Sequence, residues 1–199
     1  MSGRPLAATL VAVLVKDFAD AKTRLRLSSD VRTVVAAQLA LKAMLAVPSG
    51  SVVIAGSADV ARVAVEIGLE AVLEDVPHGQ NAAAARAVEV ARQRGCRGLL
   101  LLAADLPLVN SSAVTAMLDR AASLKPPCAV AAPAAGRGGT NALYLAPPDA
   151  LDLHFGDQSL RAFETEARTR DVRFEHFEAP ELALDLDVPA DLEELRARR

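Results

Sequence analysis

The segment Gly98-Leu99-Leu100-Leu101-Leu102-Ala103-Ala104-Asp105-Leu106-Pro107 decides the fold of this 199-residue chain. Its run of four leucines predicts a short strand that is buried on both faces. Strands of this kind lie in the middle of parallel sheets that helices cover on both sides. Ligands bind to such sheets just beyond the carboxyl ends of the strands. Asp105 follows this strand closely and is therefore a candidate functional residue.

Apolar runs and helical patterns alternate on both sides of this central strand. Further strands are predicted near residues 9–15, 51–55, 71–73, 128–132, 141–145 and 172–177, and helices near residues 30–46, 58–67, 81–94, 110–123 and 159–169 and after Pro189. For the first helix we expect Ser29 or Asp30 as the cap and Val31, Val35 and Leu39 as the buried stripe. The alternation predicts a single α/β domain over residues 1–199, with three layers, a mostly parallel sheet and right-handed crossovers.

Composition excludes several classes of function. The chain has 22 Lys and Arg residues against 25 Asp and Glu residues, a formal net charge of −3, so it lacks the concentrated basic surface that nucleic acids require. Its 52% hydrophobic content excludes a disordered chain. The longest apolar runs are far shorter than the roughly 18 residues that cross a bilayer, so we expect no membrane partner.

The termini and cysteines indicate the compartment. The first residues carry no cleavage pattern of a secretory signal, which predicts a cytoplasmic protein. Cys96 and Cys128 lie far apart in the sequence in apolar surroundings, and we expect buried free thiols. Because homodimers are the commonest symmetric assembly, we expect a monomer or a homodimer.

Three cations follow the first predicted strand, in Lys16-Asp17-Phe18-Ala19-Asp20-Ala21-Lys22-Thr23-Arg24. In a doubly wound sheet this is where a phosphate-bearing ligand binds, so Lys16, Lys22 and Arg24 are candidates for binding a polyphosphate. An ordinary solvated loop is the alternative. The sequence contains neither a dinucleotide-binding glycine motif nor a P-loop.

Acidic residues form a second candidate group. If Leu184-Asp185-Leu186-Asp187-Val188-Pro189 is extended, Asp185 and Asp187 project to the same side. Two carboxylates held together repel each other unless a cation separates them, and an unpaired acid at Asp105 would be costly to bury. Mg²⁺ bound by these three carboxylates is the hypothesis, with an N-cap at Asp105 and surface acids at the other two positions as alternatives.

Histidines and serines give weaker signals. The three histidines show no metal-ligand spacing, and no serine lies in a nucleophile-elbow motif, so zinc and serine-hydrolase chemistry are both disfavoured. His78 is expected near the ligand edge because it precedes a predicted helix start.

Taken together, these motifs resemble the MobA-like nucleotidyltransferases, and within them the guanylyltransferases that act on 2-phospho-L-lactate or phosphoenolpyruvate in coenzyme F-420 biosynthesis. The matching pieces are Val15-Lys16, Ala21-Lys22-Thr23-Arg24-Leu25, Gly79-Gln80-Asn81-Ala82, Ala104-Asp105-Leu106-Pro107, Gly139-Thr140-Asn141-Ala142-Leu143, Phe155-Gly156-Asp157-Gln158-Ser159 and Asp185-Leu186-Asp187-Val188-Pro189. The G-T-N-A-L and F-G-x-x-S pieces are the most specific. The resemblance implies a Rossmann-like fold of the nucleotide-diphospho-sugar transferase, or GT-A, type.

The resemblance also implies a reaction and a site. The phosphate of a three-carbon acid would attack the α-phosphate of GTP and release pyrophosphate. By position, Asp105, Asp185 and Asp187 would bind Mg²⁺, and Thr140, Gly156 and Ser159 would hold the acceptor. Lys16, Lys22 and Arg24 would meet the triphosphate, with Gly79 and Asn81 along the nucleotide; Asp105 and the three cations are the candidate catalytic residues.

Some positions depart from the family pattern. Gln80 replaces an apolar residue, Asp157 a proline and Leu160 an aromatic residue. The acceptor is therefore less well defined than the reaction, although an Arg- and Ala-rich composition, typical of GC-rich bacteria, favours phosphoenolpyruvate by association. A nucleotidyltransferase for molybdopterin or a sugar phosphate, or a GT-A-like protein that binds nucleotide without transfer, is the alternative.

Overall fold

A seven-stranded sheet in the order β3-β2-β1-β4-β6-β5-β7 forms the centre of the computed structural model, which describes residues 9–74 and 79–197. The strands are β1 (Thr9–Val15), β2 (Val52–Ala55), β3 (Glu70–Leu73), β4 (Gly98–Ala103), β5 (Cys128–Pro133), β6 (Thr140–Ala146) and β7 (Arg173–His176). The helices are α1 (Ser29–Ala46), α2 (Ala58–Glu66), α3 (Gln80–Gln93), α4 (Ser111–Ala122), α5 (Ser159–Thr169), α6 (Pro180–Ala183) and α7 (Pro189–Ala197).

The leucine-rich strand β4 lies in the middle of the sheet, as its sequence predicts, with β1 parallel on one side and β6 antiparallel on the other. β6 runs antiparallel to both of its neighbours, and the other adjacent pairs are parallel. The cause is the short connection from β5 to β6 through residues 134–139, since a parallel pair needs a crossover of about a dozen residues or more. Reversal brings the start of β6 to the edge where the parallel strands end.

Helices cover both faces of the sheet. α1, α2 and α4 contribute to the buried cluster on one face, and α3 and α5 to that on the other. The expected stripe of α1 is wrong in part, because Val31 is 47% exposed and the helix buries Ala36, Ala40 and Ala43. Small side chains let the helix lie close to the sheet. The expected cap is also wrong: Ser28 is the N-cap, without a side-chain cap bond.

The predictions for the cysteines, a membrane span and His78 have different outcomes. Cys96 and Cys128 are free thiols, the second buried and the first only half-buried. Within the described ranges, no helix is both long and apolar enough to cross a membrane. His78 lies outside the described residues.

Candidate active site

A cleft of about 510 Å³ opens at the sheet edge where β1 and β4 end. Its walls come from the segments after β1 and β4, the middle of α1, the first turn of α3 and the acidic segment before α7, with Glu74 after β3. Of the predicted site residues, the cleft lining includes Lys16, Lys22, Arg24, Gly79, Asp105 and Asp187. The topology therefore assembles in one place side chains that are up to 171 positions apart in the chain, from Lys16 to Asp187.

Lys22 and Asp105 form the most buried ion pair of the cleft. The Nζ of Lys22 lies 2.8 Å from Oδ2 of Asp105, with side-chain exposures of 7% and 35%. Lys22 has a backbone φ of +60°, which is uncommon for a residue with a side chain and is found where surrounding structure imposes it. The loop after β1 is thus shaped to direct an ammonium group at the acid after β4.

Arg24 and Asp187 form a second ion pair, more open to solvent. Their Nη1 and Oδ2 atoms lie 3.1 Å apart, and the arginine side chain is 76% exposed. Leu25 and Leu186 pack with Leu39 of α1 in a small buried cluster. Because Leu25 follows Arg24 and Leu186 precedes Asp187 in the sequence, this cluster fixes the cation loop (residues 16–24) against the acidic segment (residues 184–189).

Asp185 has a different cationic partner, Arg137, in the loop between β5 and β6. Arg137 Nη1 lies 2.7 Å from Oδ2 of Asp185, and its other terminal nitrogen donates to Asp191. Asp191 is buried and also accepts the backbone N–H groups of Asp187 and Val188, each at 2.6 Å. These bonds and the guanidinium of Arg137 lower the pKa of Asp191 against the opposing effect of burial.

Backbone and amide contacts hold the two acidic segments together. The N–H of Leu186 donates to the carbonyl of Asp105 at 3.0 Å. The buried amide of Asn141 donates to the carbonyls of Leu182 and Ala183 at 2.8 and 3.2 Å, which anchors the residues just before Asp185. Burial, and then the negative charge of Asp105, raise the pKa of Asp185, so these carboxylates are close enough to repel each other.

The residues predicted to bind a metal are therefore present at one edge, and each one meets a cationic side chain: Asp105 meets Lys22, Asp185 meets Arg137 and Asp187 meets Arg24. Among the residues that the structure describes, no three Asp, Glu, His or Cys side chains form a ready-made metal-ligand group. Alternating burial over residues 182–187 places Asp185 and Asp187 on the same side of the segment, as predicted.

The predicted acceptor residues form a second group, which is not among the residues that line the cleft. It is linked to the first turn of α3 through the hydrogen bonds between Asn81 and Phe155. Ser159, at the start of α5, donates its hydroxyl to that of Thr140, at the start of β6, over 3.1 Å, and both side chains are buried. Gly156 is exposed, with a φ of +132° that favours glycine, and its carbonyl accepts the N–H of Ser159 at 3.3 Å. The structure thus brings these three residues together.

Gly79 and Asn81 behave differently from each other. Gly79 lines the cleft and has a φ of +86° just before α3. The side chain of Asn81 instead bonds the backbone of Phe155 on both sides: Nδ2 donates to the carbonyl at 3.0 Å, and Oδ1 accepts the N–H at 2.8 Å. Asn81 is therefore attached to the loop between β6 and α5 (residues 147–158, the acceptor loop) and is not among the residues that line the cleft.

Sequence reasoning missed two contributors, Arg137 and Asn141. Arg137 is the single cation in the glycine-rich stretch 136–139. A cation among glycines is the sequence feature that could have marked Arg137 as a site residue. Asn141 belongs to the G-T-N-A-L motif, but the pattern gives no indication that its amide bonds the carbonyls 41 and 42 residues later, just before the acidic segment.

Comparison with known proteins identifies the family of the chain. The family model described as "Guanylyl transferase CofC like" matches residues 9–197. A phosphoenolpyruvate guanylyltransferase of Rubrobacter xylanophilus is 44% identical over 119 residues, which cover 60% of this chain and 57% of that protein. A 2-phospho-L-lactate guanylyltransferase of Methanothermobacter thermautotrophicus is 33% identical over 197 residues, which cover 94% of this chain and 83% of that protein. The chain thus spans little more than half the length of the Rubrobacter relative.

Among solved structures, a protein described as a nucleotide-diphospho-sugar transferase of Desulfovibrio desulfuricans has a TM-score of 0.70 at 18% identity. The similarity covers 94% of this chain and 85% of that one. At this identity the similarity establishes the fold, and it confirms the predicted α/β architecture of the nucleotide-diphospho-sugar transferase type.

Proposed function

The chain belongs to the CofC-like guanylyl transferase family, and from this premise we propose that it transfers GMP from GTP to the phosphate of a phosphorylated three-carbon acid. The product would be a diphosphate-linked acid of the kind used in coenzyme F-420 biosynthesis, with pyrophosphate as the leaving group. The observation that carries the proposal is the cleft in which Lys16, Lys22 and Arg24 face Asp105 and Asp187.

The chemistry needs positioning and charge neutralisation more than a covalent catalyst. The acceptor phosphate is already ionised at pH 7. One of its oxygens attacks the α-phosphorus of GTP, the bond from that phosphorus to the oxygen bridging the β-phosphorus breaks, and pyrophosphate carries away the electron pair. Lys16 has no ion pair within the described part of the chain and is exposed, so it can meet the triphosphate directly. Lys22 and Arg24 would exchange their carboxylate partners for phosphate oxygens.

The donor set fits magnesium, because carboxylate oxygens are ligands that this ion prefers. Burial, and then the negative charge of Asp105, raise the pKa of Asp185, and a cation bound between the two acids would relieve this repulsion. Asp105, Asp185 and Asp187 would hold the ion. In its absence the same acids are neutralised by Lys22, Arg137 and Arg24, respectively. When bound, Mg²⁺ would supply positive charge at the phosphates of GTP.

For the acceptor we propose phosphoenolpyruvate, with Thr140, Gly156 and Ser159 contacting its phosphate and carboxylate. The name of the Rubrobacter relative supports this choice, and that of the Methanothermobacter relative supports 2-phospho-L-lactate. The two acids differ by a planar methylene against a tetrahedral methyl carbon. A small apolar difference of this kind is worth only about 1 to 3 kcal/mol in a pocket.

Incubation of the protein with radiolabelled GTP, Mg²⁺ and a panel of acceptors tests the reaction. Pyrophosphate release with phosphoenolpyruvate is expected, and competition at equal concentration with 2-phospho-L-lactate should give mainly the phosphoenolpyruvate product, resolved by a mass difference of two hydrogens. Product from molybdopterin or a sugar phosphate alone would refute the proposed acceptor class. Tight GTP binding without transfer to any acceptor would indicate a binding protein instead.

Magnesium is tested with Asp105→Asn and Asp187→Asn, which remove charge and nearly preserve volume. Each should lower turnover by about 10²-fold or more and raise the Mg²⁺ concentration needed for half-maximal rate. Near-full, Mg²⁺-dependent turnover in both variants would contradict the assignment of these residues as ligands.

A further inference from the structure

We infer that Asn81 is a positioning residue that couples the nucleotide cleft to the acceptor loop, rather than a residue that contacts the nucleotide. The inference rests on the proposed function. It concerns how the binding of one substrate prepares the site for the other.

The contact itself is specific. Both polar atoms of the Asn81 side chain bond the backbone of a single residue, Phe155, with donor–acceptor distances of 3.0 and 2.8 Å. A carboxamide that bonds both the N–H and the C=O of one residue reproduces the pairing of two neighbouring strands, so it fixes the position and the orientation of that peptide segment. Phe155 is buried, and the next residue is Gly156 of the acceptor group.

Asn81 lies in the first turn of α3, and its two preceding residues, Gly79 and Gln80, line the cleft. A nucleotide that contacts this turn acts on the same rigid helix that holds Phe155. A shift of α3 therefore changes the position of Gly156 through two hydrogen bonds. Ala83 and Ala84, on the inner side of the helix, are buried. Because this packing holds the first turn to the rest of α3, we expect the turn to move together with the helix.

The other end of the loop is fixed to a different helix, α5. Glu166 accepts the N–H of Asp152 at 3.0 Å with one oxygen and meets Nε2 of His154 at 2.5 Å with the other. The ring of Phe155 packs edge-on against Phe163 of the same helix, with centroids 5.3 Å apart. α5 thus gives the loop its stability, and Asn81 gives it a connection to the nucleotide side. This division of roles provides a control.

The experiment measures the binding of each substrate with and without the other, by calorimetry on the full chain. The probes are phosphoenolpyruvate and α,β-methylene-GTP with Mg²⁺, which cannot undergo the transfer. In Asn81→Ala we expect phosphoenolpyruvate binding to weaken by about tenfold and the analogue, measured alone, to change by less than twofold. In the wild type the analogue should tighten the binding of phosphoenolpyruvate, and in Asn81→Ala this tightening should largely disappear. No tightening in the wild type would overturn the inference.

Two matched variants separate coupling from stability. Glu166→Gln loosens the same loop from α5, so it should weaken phosphoenolpyruvate binding and keep the tightening by the analogue. Gln93→Ala removes an amide from the exposed side of α3, where its side chain donates to Glu89 at 3.1 Å, and should change neither affinity. Loss of analogue affinity in Asn81→Ala with unchanged phosphoenolpyruvate binding would overturn the inference in favour of direct nucleotide contact.

Hydrogen exchange tests the contact independently of catalysis. Asn81→Asp keeps an acceptor for the Phe155 N–H but loses the donor to its carbonyl. The amide of Phe155 should exchange slowly in the wild type and in Asn81→Asp, and faster in Asn81→Ala. Equal exchange in all three proteins would refute the inference even if Asn81→Ala were too unstable for calorimetry. Failure of the wild type to transfer GMP to any acid would refute the proposed function and leave this exchange result standing.

Discussion

Replacement of Lys22 by methionine removes the charge that faces Asp105 and preserves much of the side-chain volume. Removal of one partner costs about 3 to 5 kcal/mol in a fully buried ion pair, and an exposed pair is worth about 0 to 1 kcal/mol. Lys22 is 7% exposed and Asp105 35%, so the pair lies between these limits and we expect a loss of about 1 to 2 kcal/mol in the free energy of unfolding. For a chain of this length that corresponds to a Tm lower by about 2 to 8 °C.

Urea denaturation of Lys22→Met, Asp105→Asn and the double variant forms a thermodynamic cycle for this pair. The coupling free energy should be about 1 kcal/mol or more, since neither single variant keeps the interaction. Arg24→Met is the matched control: its side chain is 76% exposed in the pair with Asp187, and it should cost less than about 0.5 kcal/mol. If the effects of Lys22→Met and Asp105→Asn on the free energy of unfolding add within about 0.3 kcal/mol, the argument that Lys22 stabilises the protein through Asp105 is refuted.

Three further predictions concern the surroundings of the cleft. In Gly56→Ala the new Cβ would lie 2.9 Å from the backbone nitrogen of Asp17, so the cation loop must shift. The rate of pyrophosphate release should fall by about tenfold or more, and an unchanged rate would contradict this. Burial raises the pKa of the Cys128 thiol, and Cys96 is only half-buried. At pH 8 a disulfide reagent should therefore label the native protein at Cys96 and reach Cys128 only after unfolding. Peptide mass mapping would show this, and rapid labelling of both cysteines in the native protein would contradict it. Asp191→Asn weakens the contact with Arg137, and we expect thermal unfolding to show a loss of about 1 to 2 kcal/mol, whereas a shift below about 0.3 kcal/mol would exclude this role.

The architecture follows largely from the sequence. Buried parallel strands require uninterrupted apolar runs, whereas in the amphipathic helices between them apolar residues recur with a helical period. The local pattern alone therefore predicts the strands at residues 9–15 and 98–103. The direction of β6 follows from the short loop before it, although the strand pattern of Thr140–Ala146 does not state which neighbours it takes. The predicted stripe of α1 is right at Leu39 and wrong at Val31. Alanine carries little amphipathic signal, so the buried face at Ala36, Ala40 and Ala43 depends on how closely the helix approaches the sheet.

Some residues of the candidate site can be predicted from the sequence, whereas their partners depend on the tertiary structure. Strand ends select Lys16, Lys22, Arg24 and Asp105, because the position of a residue after a buried strand is a local property of the chain. The partner of each charged group depends on contacts between distant segments, and only the tertiary structure decides that Asp185 meets Arg137, 48 residues away, and that Asn81 bonds Phe155, 74 residues away. Side-chain hydrogen bonds require particular distances and directions between atoms, and these are set by the packing of whole helices and strands, which no local pattern of residue types encodes.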